Sequence, residues 1–197
     1  MIFEYTEEDL NNLRKKDKKL CALIDSIGKI ERSVNPNIFE ELVKSVVAQQ
    51  VSTKAAETVF NRLCNLSEIT QAGLRKLTVE EIRSCGMNEA KSNYIKNIAQ
   101  ANIDFESLKQ NEDDEIISEL TQIKGVGIWT VEMLLIFSLG RKDILSYGDL
   151  IIKKGICKLY GHKELKKERF LKYKKRYSPY GSIASLYLWE FMSGKNF

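Results

Sequence analysis

The stretch Leu120-Thr-Gln-Ile-Lys-Gly-Val-Gly-Ile-Trp-Thr-Val-Glu-Met-Leu-Leu135 decides how this chain folds. A helix-forming run ends near Gln122, Gly125-Val-Gly127 interrupts it, and an almost wholly apolar helix begins at Ile128. The pattern predicts two helices joined by a tight turn, with glycines where the backbone must bend sharply or be approached closely from outside. The first amides of the second helix have no intrahelical partners, so with Gly125, Val126, Gly127 and Thr130 they form a small positive concavity suited to a phosphate. Lys124 adds charge, and a contact of this kind holds a nucleic-acid backbone without reading bases. A purely structural glycine turn fits the same residues.

Downstream, Ser146-Tyr-Gly-Asp149 precedes a helix that starts at Leu150. Asp149 reads as its N-cap. The same position keeps a carboxylate ionised through helix amides and dipole, so it can also face a developing cation or polarise a water. The two roles are compatible.

Working outward, the chain reads as helices throughout. Residues 6–27 carry Leu10, Leu13, Leu20, Leu23, Ile24 and Ile27 on one side and predict a single amphipathic helix ended by Gly28. Asn35-Pro-Asn37 is a turn into a helix from Phe39 to Gln49. Ala48-Gln-Gln-Val-Ser-Thr-Lys54 breaks the pattern, and Ser52 or Thr53 can cap a helix from Lys54 to Cys64 with Ala55, Val59, Phe60 and Leu63 inward. Thr78 with Glu81 makes a capping box for a short helix ending at Cys85-Gly86. Further helices are expected over Asn88–Asn102, Asp113–Gln122, Leu150–Tyr160 and Ser182–Met192. No stretch alternates with period two for long, so the fold class is all-α.

With 197 residues, 43% hydrophobic and 29% charged, the chain can bury a substantial core as one domain or two small lobes. No apolar run reaches the roughly 20 residues that span a bilayer, and the N-terminus lacks signal-peptide character, which predicts a cytoplasmic protein without a membrane partner. The cysteines Cys21, Cys64, Cys85 and Cys157 are far apart and form none of the close pairs that bind zinc or an iron–sulfur cluster. The net charge of +4 is unevenly spread: Lys153 to Arg176 holds eleven Lys or Arg against Glu164 and Glu168. That run is either a solvated helix face or a phosphate-facing surface.

Ile123-Lys-Gly-Val-Gly127 with Ile128-Trp-Thr130, and then Gly148-Asp149 after an apolar helix, resemble the hairpin and catalytic aspartate of the helix-hairpin-helix (HhH-GPD) DNA glycosylases. Ala48-Gln-Gln-Val-Ser52, Cys85-Gly-Met87 with Lys91 and Tyr94, and Pro179 with Trp189 make the alkylated-base branch, the 3-methyladenine glycosylase II type, the nearer match. The resemblance covers residue 37 to the C-terminus. It implies a two-lobed helical fold with the active site in a cleft between lobes; the sequence starts too close to the catalytic lobe for the extra N-terminal β domain of some bacterial members, and none is expected. We take the lobes as 1–36 with 150–197, and 37–149, the hairpin occupying about 114–139.

By position, the resemblance implies that Asp149 stabilises an oxocarbenium-like sugar and directs water while the damaged nucleotide is held outside the duplex. Trp129, Tyr147 and Trp189 would form the base pocket, stacking on a base that already carries positive charge; for either tryptophan, core packing is the other reading. Gln49, Gln50, Ser52, Lys91 and Lys124 would contact DNA, with Gln50 filling the gap left by the extruded nucleotide. Carbonyls of Thr121, Ile123 and Val126 would hold Na⁺ or K⁺. Trp129 stands where bifunctional relatives carry a lysine, so base removal without strand cleavage is expected. The implied partner is double-stranded DNA with damaged bases, engaged by a monomer, with no cofactor for catalysis. A glycosylase for an oxidised, deaminated or mismatched base, and a non-catalytic DNA-binding module, are the alternatives; Asp149 argues against the last, because phosphate binding gains nothing from a carboxylate.

Overall fold

The computed structural model describes residues 1–194. Among these, twelve α-helices and one 3₁₀ turn account for the regular structure, and the only β pairing is an isolated bridge between Ile2 and Ser33. The all-α expectation holds. No helix among the described residues is long and apolar enough to cross a membrane.

The chain divides into two compact units, Asn35–Leu134 and, from both ends of the sequence, residues 1–34 with 135–194. The division falls inside the second hairpin helix instead of at 149/150, so Asp149 and the loop before it belong to the unit that contains the N-terminus.

In that unit the expected single helix over 6–27 is two: α1 (Glu7–Lys16) and α2 (Lys18–Ile27). Asp17 breaks the run. Its backbone is extended and its carboxylate takes the amides of Lys19 and Leu20, capping α2. Hydrophobic periodicity alone could not show this, because Leu10, Leu13, Leu20 and Ile24 remain buried on both pieces. Gly28 ends α2 as expected, at φ 77°. The unit is completed by α10 (Leu150–Tyr160), α11 (Lys167–Tyr177) and α12 (Gly181–Met192). Helix α12 is its centre: residues from Gly181 to Leu188 are buried without interruption, the mark of a helix covered on all sides. Gly155 of α10 lies against it, and a Cβ there would meet the Leu188 carbonyl at 3.3 Å. Helix α11 was not anticipated; its Phe170, Tyr173 and Tyr177 are buried at helical spacing within a run of charges.

The other unit contains α3 (Ile38–Ala48), α4 (Thr53–Leu66), α5 (Gln71–Lys76), α6 (Val79–Ser84), α7 (Glu89–Gln100), α8 (Asp113–Leu120) and the start of α9 (Ile128–Phe137). Ser52 caps α4, and Ala56 is buried where Ala55 was expected inward. The Thr78–Glu81 capping box on α6 forms as predicted. Helix α5 escaped the sequence reading because one of its six residues is glycine and only Leu74 is buried.

Candidate active site and nucleic-acid interface

The hairpin between α8 and α9 is built on α7. Gly125 adopts φ +105°, and a Cβ there would lie 2.2 Å from the Tyr94 ring, so both conformation and packing require glycine. Asn97, one turn on from Tyr94, donates its side-chain amide to the Lys124 carbonyl at 3.1 Å. The Val126 amide donates to the Ile123 carbonyl at 3.0 Å, closing the turn, and Val126 itself is buried. Gly127 differs from Gly125. It is exposed, and nothing lies within 4 Å of where its Cβ would be. No internal packing explains a glycine there. Lys124 is exposed and Thr130 buried.

The connection between α3 and α4 is short because Gln49 ends one helix and Ser52 begins the next. Gln50 between them has φ 57°, the one non-glycine residue described with positive φ. Left-handed backbone in a glutamine is uncommon and costs free energy of order 1 kcal/mol or more. It leaves Gln50 exposed, next to Val51, a large apolar side chain that is also exposed. The fold brings this connection to the hairpin: Gln49, Gln50, Gly127, Trp129 and Thr130 line a pocket of about 570 Å³ together with residues of α3 that include Glu41. Trp129 is 40% exposed, so core packing does not account for it.

Two of the expected DNA contacts are otherwise engaged. Lys91 is buried and its ammonium donates to the Val47 carbonyl at 2.8 Å, tying α7 to α3. Burial holds its pKa below the ordinary lysine value. It braces the fold and is not a phosphate-facing cation. Ser52 uses its hydroxyl to accept the Ala55 amide at 3.3 Å, a capping role, though the residue is exposed.

In the other unit, Asp149 is the N-cap of α10. Oδ1 accepts the amides of Ile151 and Ile152 at 2.8 and 2.9 Å, and Oδ2 accepts the indole N–H of Trp189 at 3.3 Å. The residue is 6% exposed. One oxygen thus serves the helix, and the other is held by a side chain forty residues downstream. Trp189 also packs on Phe137, ring centroids 5.6 Å apart. Its polar edge is committed to Asp149, a role that expected base stacking did not include. Tyr147 packs edge-on against Phe170 at 5.1 Å and has the Lys153 ammonium over its ring at 4.7 Å. Tyr147 and Trp189 therefore belong to the unit of Asp149, while Trp129 belongs to the unit of the hairpin pocket.

Helix α12 also fixes the loop that carries Asp149. Asp143 accepts the Gly181 amide at 3.0 Å and the Ser178 hydroxyl at 2.6 Å. The Ser182 hydroxyl donates to the Arg141 carbonyl and accepts from the Ile144 amide, and the Ser185 hydroxyl donates to the Ile144 carbonyl. Ser182, Ser185 and Trp189 are spaced i, i+3, i+7, so one face of α12 holds both the loop and the carboxylate. That spacing was present in the sequence; its partners were not.

Among the described residues, no group of three or more His, Cys, Asp or Glu is arranged to hold a metal ion. The four cysteines are free and lie on or beside different helices, α2, α4, α6 and α10.

Comparison with known proteins agrees with this geometry. Residues 43–179 match the profile of the HhH-GPD superfamily base excision DNA repair proteins. The chain is 34% identical over 194 residues to DNA-3-methyladenine glycosylase 1 of Schizosaccharomyces pombe, covering 93% of this chain and 85% of that one. The crystal structure of a DNA-3-methyladenine glycosidase from Bacillus halodurans superposes with a TM-score of 0.85 at 33% identity, covering 98% of this chain and 93% of the other. The S. pombe 3-methyladenine DNA glycosylase in complex with abasic DNA superposes with a TM-score of 0.82 at 34% identity, covering 93% and 95%. With a glycine hairpin packed on Tyr94 and a carboxylate held at a helix N-terminus, matched by a profile that spans most of the chain, this protein belongs to the HhH-GPD superfamily of base excision DNA repair proteins.

Proposed function

We propose that this chain is a monofunctional DNA glycosylase that hydrolyses the N-glycosidic bond of alkylated purines, of the 3-methyladenine and 7-methylguanine type, extruded from duplex DNA. The observation that carries the reading is Asp149: a buried carboxylate whose oxygens accept from two helix amides and an indole N–H has a set position. As the bond between C1′ and the base nitrogen breaks, its electron pair goes to the base and neutralises the positive charge that alkylation placed there. Positive charge develops on the sugar, where Asp149 opposes it. Water then adds to C1′ and loses a proton, and Asp149 orients that water. A cationic purine leaves readily, so a general acid is not required. The exposed face of Trp129 favours a cationic base by stacking.

Extrusion leaves a gap in the duplex. Gln50, presented in a left-handed backbone beside exposed Val51, is suited to fill it, and Gly127 with Lys124 is suited to grip phosphate. Trp129 offers no amine for a Schiff base, so strand cleavage through that position does not occur. The carbonyls of Thr121, Ile123 and Val126 share one turn and are neutral oxygen donors of the kind that suit Na⁺ or K⁺; a cation there would add charge near a bound phosphate. We propose a monomer acting on double-stranded DNA.

The test is Asp149→Asn. Release of 7-methylguanine from methylated duplex should be lost while affinity for the duplex is retained. Release at the wild-type rate would remove Asp149 from the mechanism, and wild-type protein that releases deaminated or oxidised bases but no alkylated ones would redirect the substrate assignment.

A further inference from the structure

The segment from Lys163 to Arg176 carries eight Lys or Arg against Glu164 and Glu168, a net charge of +6. That exceeds the +4 of the whole chain, so everything outside this segment is net acidic. The structure shows where these charges go. All eight, Lys163, Lys166, Lys167, Arg169, Lys172, Lys174, Lys175 and Arg176, are exposed on α11 and the turn before it, and Arg176 reaches the Asp17 carboxylate at 2.6 Å. Several cations elsewhere have a carboxylate partner: Arg14 has Glu7 and Asp25, Lys44 has Glu40, and Lys142 has Asp9.

Helix stabilisation does not explain the excess. Lys174, Lys175 and Arg176 in the last turn of α11 complement its dipole, but Lys166 at the N-cap, Lys167 and Arg169 sit at the positive end, where cations are unfavourable. The N-cap makes no side-chain hydrogen bond either. The surface is also concave: Lys163, Lys166, Arg169 and Lys172 line, with the two glutamates, a groove of about 500 Å³. Four cations against two carboxylates leave the groove net positive, and a polyanion relieves the remaining repulsion with release of its counterions.

We infer that α11 and the turn before it form a second contact surface for the phosphate backbone of duplex DNA, made by residues distinct from the hairpin and from Asp149. It reads no sequence, and it would lengthen the stay of the protein on undamaged DNA. The inference adds to the glycosylase reading, but its readout is binding to lesion-free DNA, so either can fail alone.

The experiment measures affinity for an undamaged duplex of about 40 base pairs as a function of salt. Wild type is compared with Lys166→Gln/Lys167→Gln/Lys172→Gln/Lys175→Gln and with the pair Lys172→Glu/Lys175→Glu. Each lost phosphate contact lowers the slope of log K against log salt by about 0.9. The fourfold variant should therefore lose about 2 to 4 in slope and at least tenfold in affinity near 0.1 M salt, with thermal unfolding unchanged. The charge-reversed pair should also bind less tightly than wild type. Single-turnover base release at saturating enzyme should match wild type. Unchanged slope and affinity in both variants would overturn the inference, as would a loss confined to anionic lipid vesicles with DNA binding intact.

Discussion

Replacing Trp189 with Phe separates the two roles a tryptophan near Asp149 can have. The substitution removes the indole N–H and keeps an aromatic ring against Phe137, whose centroid is 5.6 Å away, so the packing loss is small. What goes is the hydrogen bond to Asp149 Oδ2. A bond to a charged acceptor is worth about 1.5–3 kcal/mol, and the 3.3 Å length places this one near the lower bound. The two amides of α10 remain, so the carboxylate stays capped but loses the indole's hold on Oδ2. If that restraint acts on the transition state, about 1.5 kcal/mol appears as a roughly tenfold fall in kcat with KM within twofold of wild type. The assay is release of 7-methylguanine under single-turnover conditions across a range of enzyme concentrations. A loss confined to KM would show that Trp189 acts on ground-state binding, as a stacking platform would, and an unchanged rate would show that the bond has no catalytic consequence.

The two hairpin glycines should respond oppositely. Gly125→Ala forces a side chain onto φ +105° and against Tyr94, costing roughly 2–4 kcal/mol of stability by thermal or urea unfolding, whereas Gly127→Ala should change stability by less than about 0.5 kcal/mol and weaken binding to undamaged duplex. Lys91→Met should destabilise by about 1–3 kcal/mol, since it leaves the Val47 carbonyl unpaired, yet leave the salt dependence of DNA binding at the wild-type slope. The Asp17 carboxyl is held below the usual aspartate range: burial pushes it up, and the Leu20 amide, the Tyr160 hydroxyl and Arg176 outweigh that. Its stabilisation is present above pH 4 and lost as pH falls through the lowered value. The gap in urea stability between wild type and Asp17→Asn, about 1–3 kcal/mol at pH 7, should therefore close under acid conditions, and a gap that widened in acid would contradict this.

Most helices were legible in the sequence, and the reasons differ where they were not. Boundaries read as N-caps at Ser52, Thr78 and Asp149 fell where capping chemistry puts them. The split at Asp17 was hidden because two short helices in succession bury the same hydrophobic stripe as one long one. Helix α11 was hidden because three buried aromatics were outnumbered by charges. Lys91 was misread as a DNA contact because a lysine on an amphipathic helix is usually exposed, and only packing showed its ammonium on the Val47 carbonyl.

Sequence by itself determined the local chemistry: which residues turn, which cap and which carry charge. Gly125 and Asp149 were identifiable because a sharp turn and an N-cap depend on the backbone within a few residues. Tertiary structure decided the partnerships. Trp189 lies forty residues from Asp149, Tyr94 thirty-one from Gly125, and Gln50 more than seventy from Trp129. Periodicity says that a helix has an inner face but not which helix it faces. Whether Trp189 packs, stacks or restrains a carboxylate was therefore undecided until α12 was in place beside α10, with Gly155 allowing the close approach.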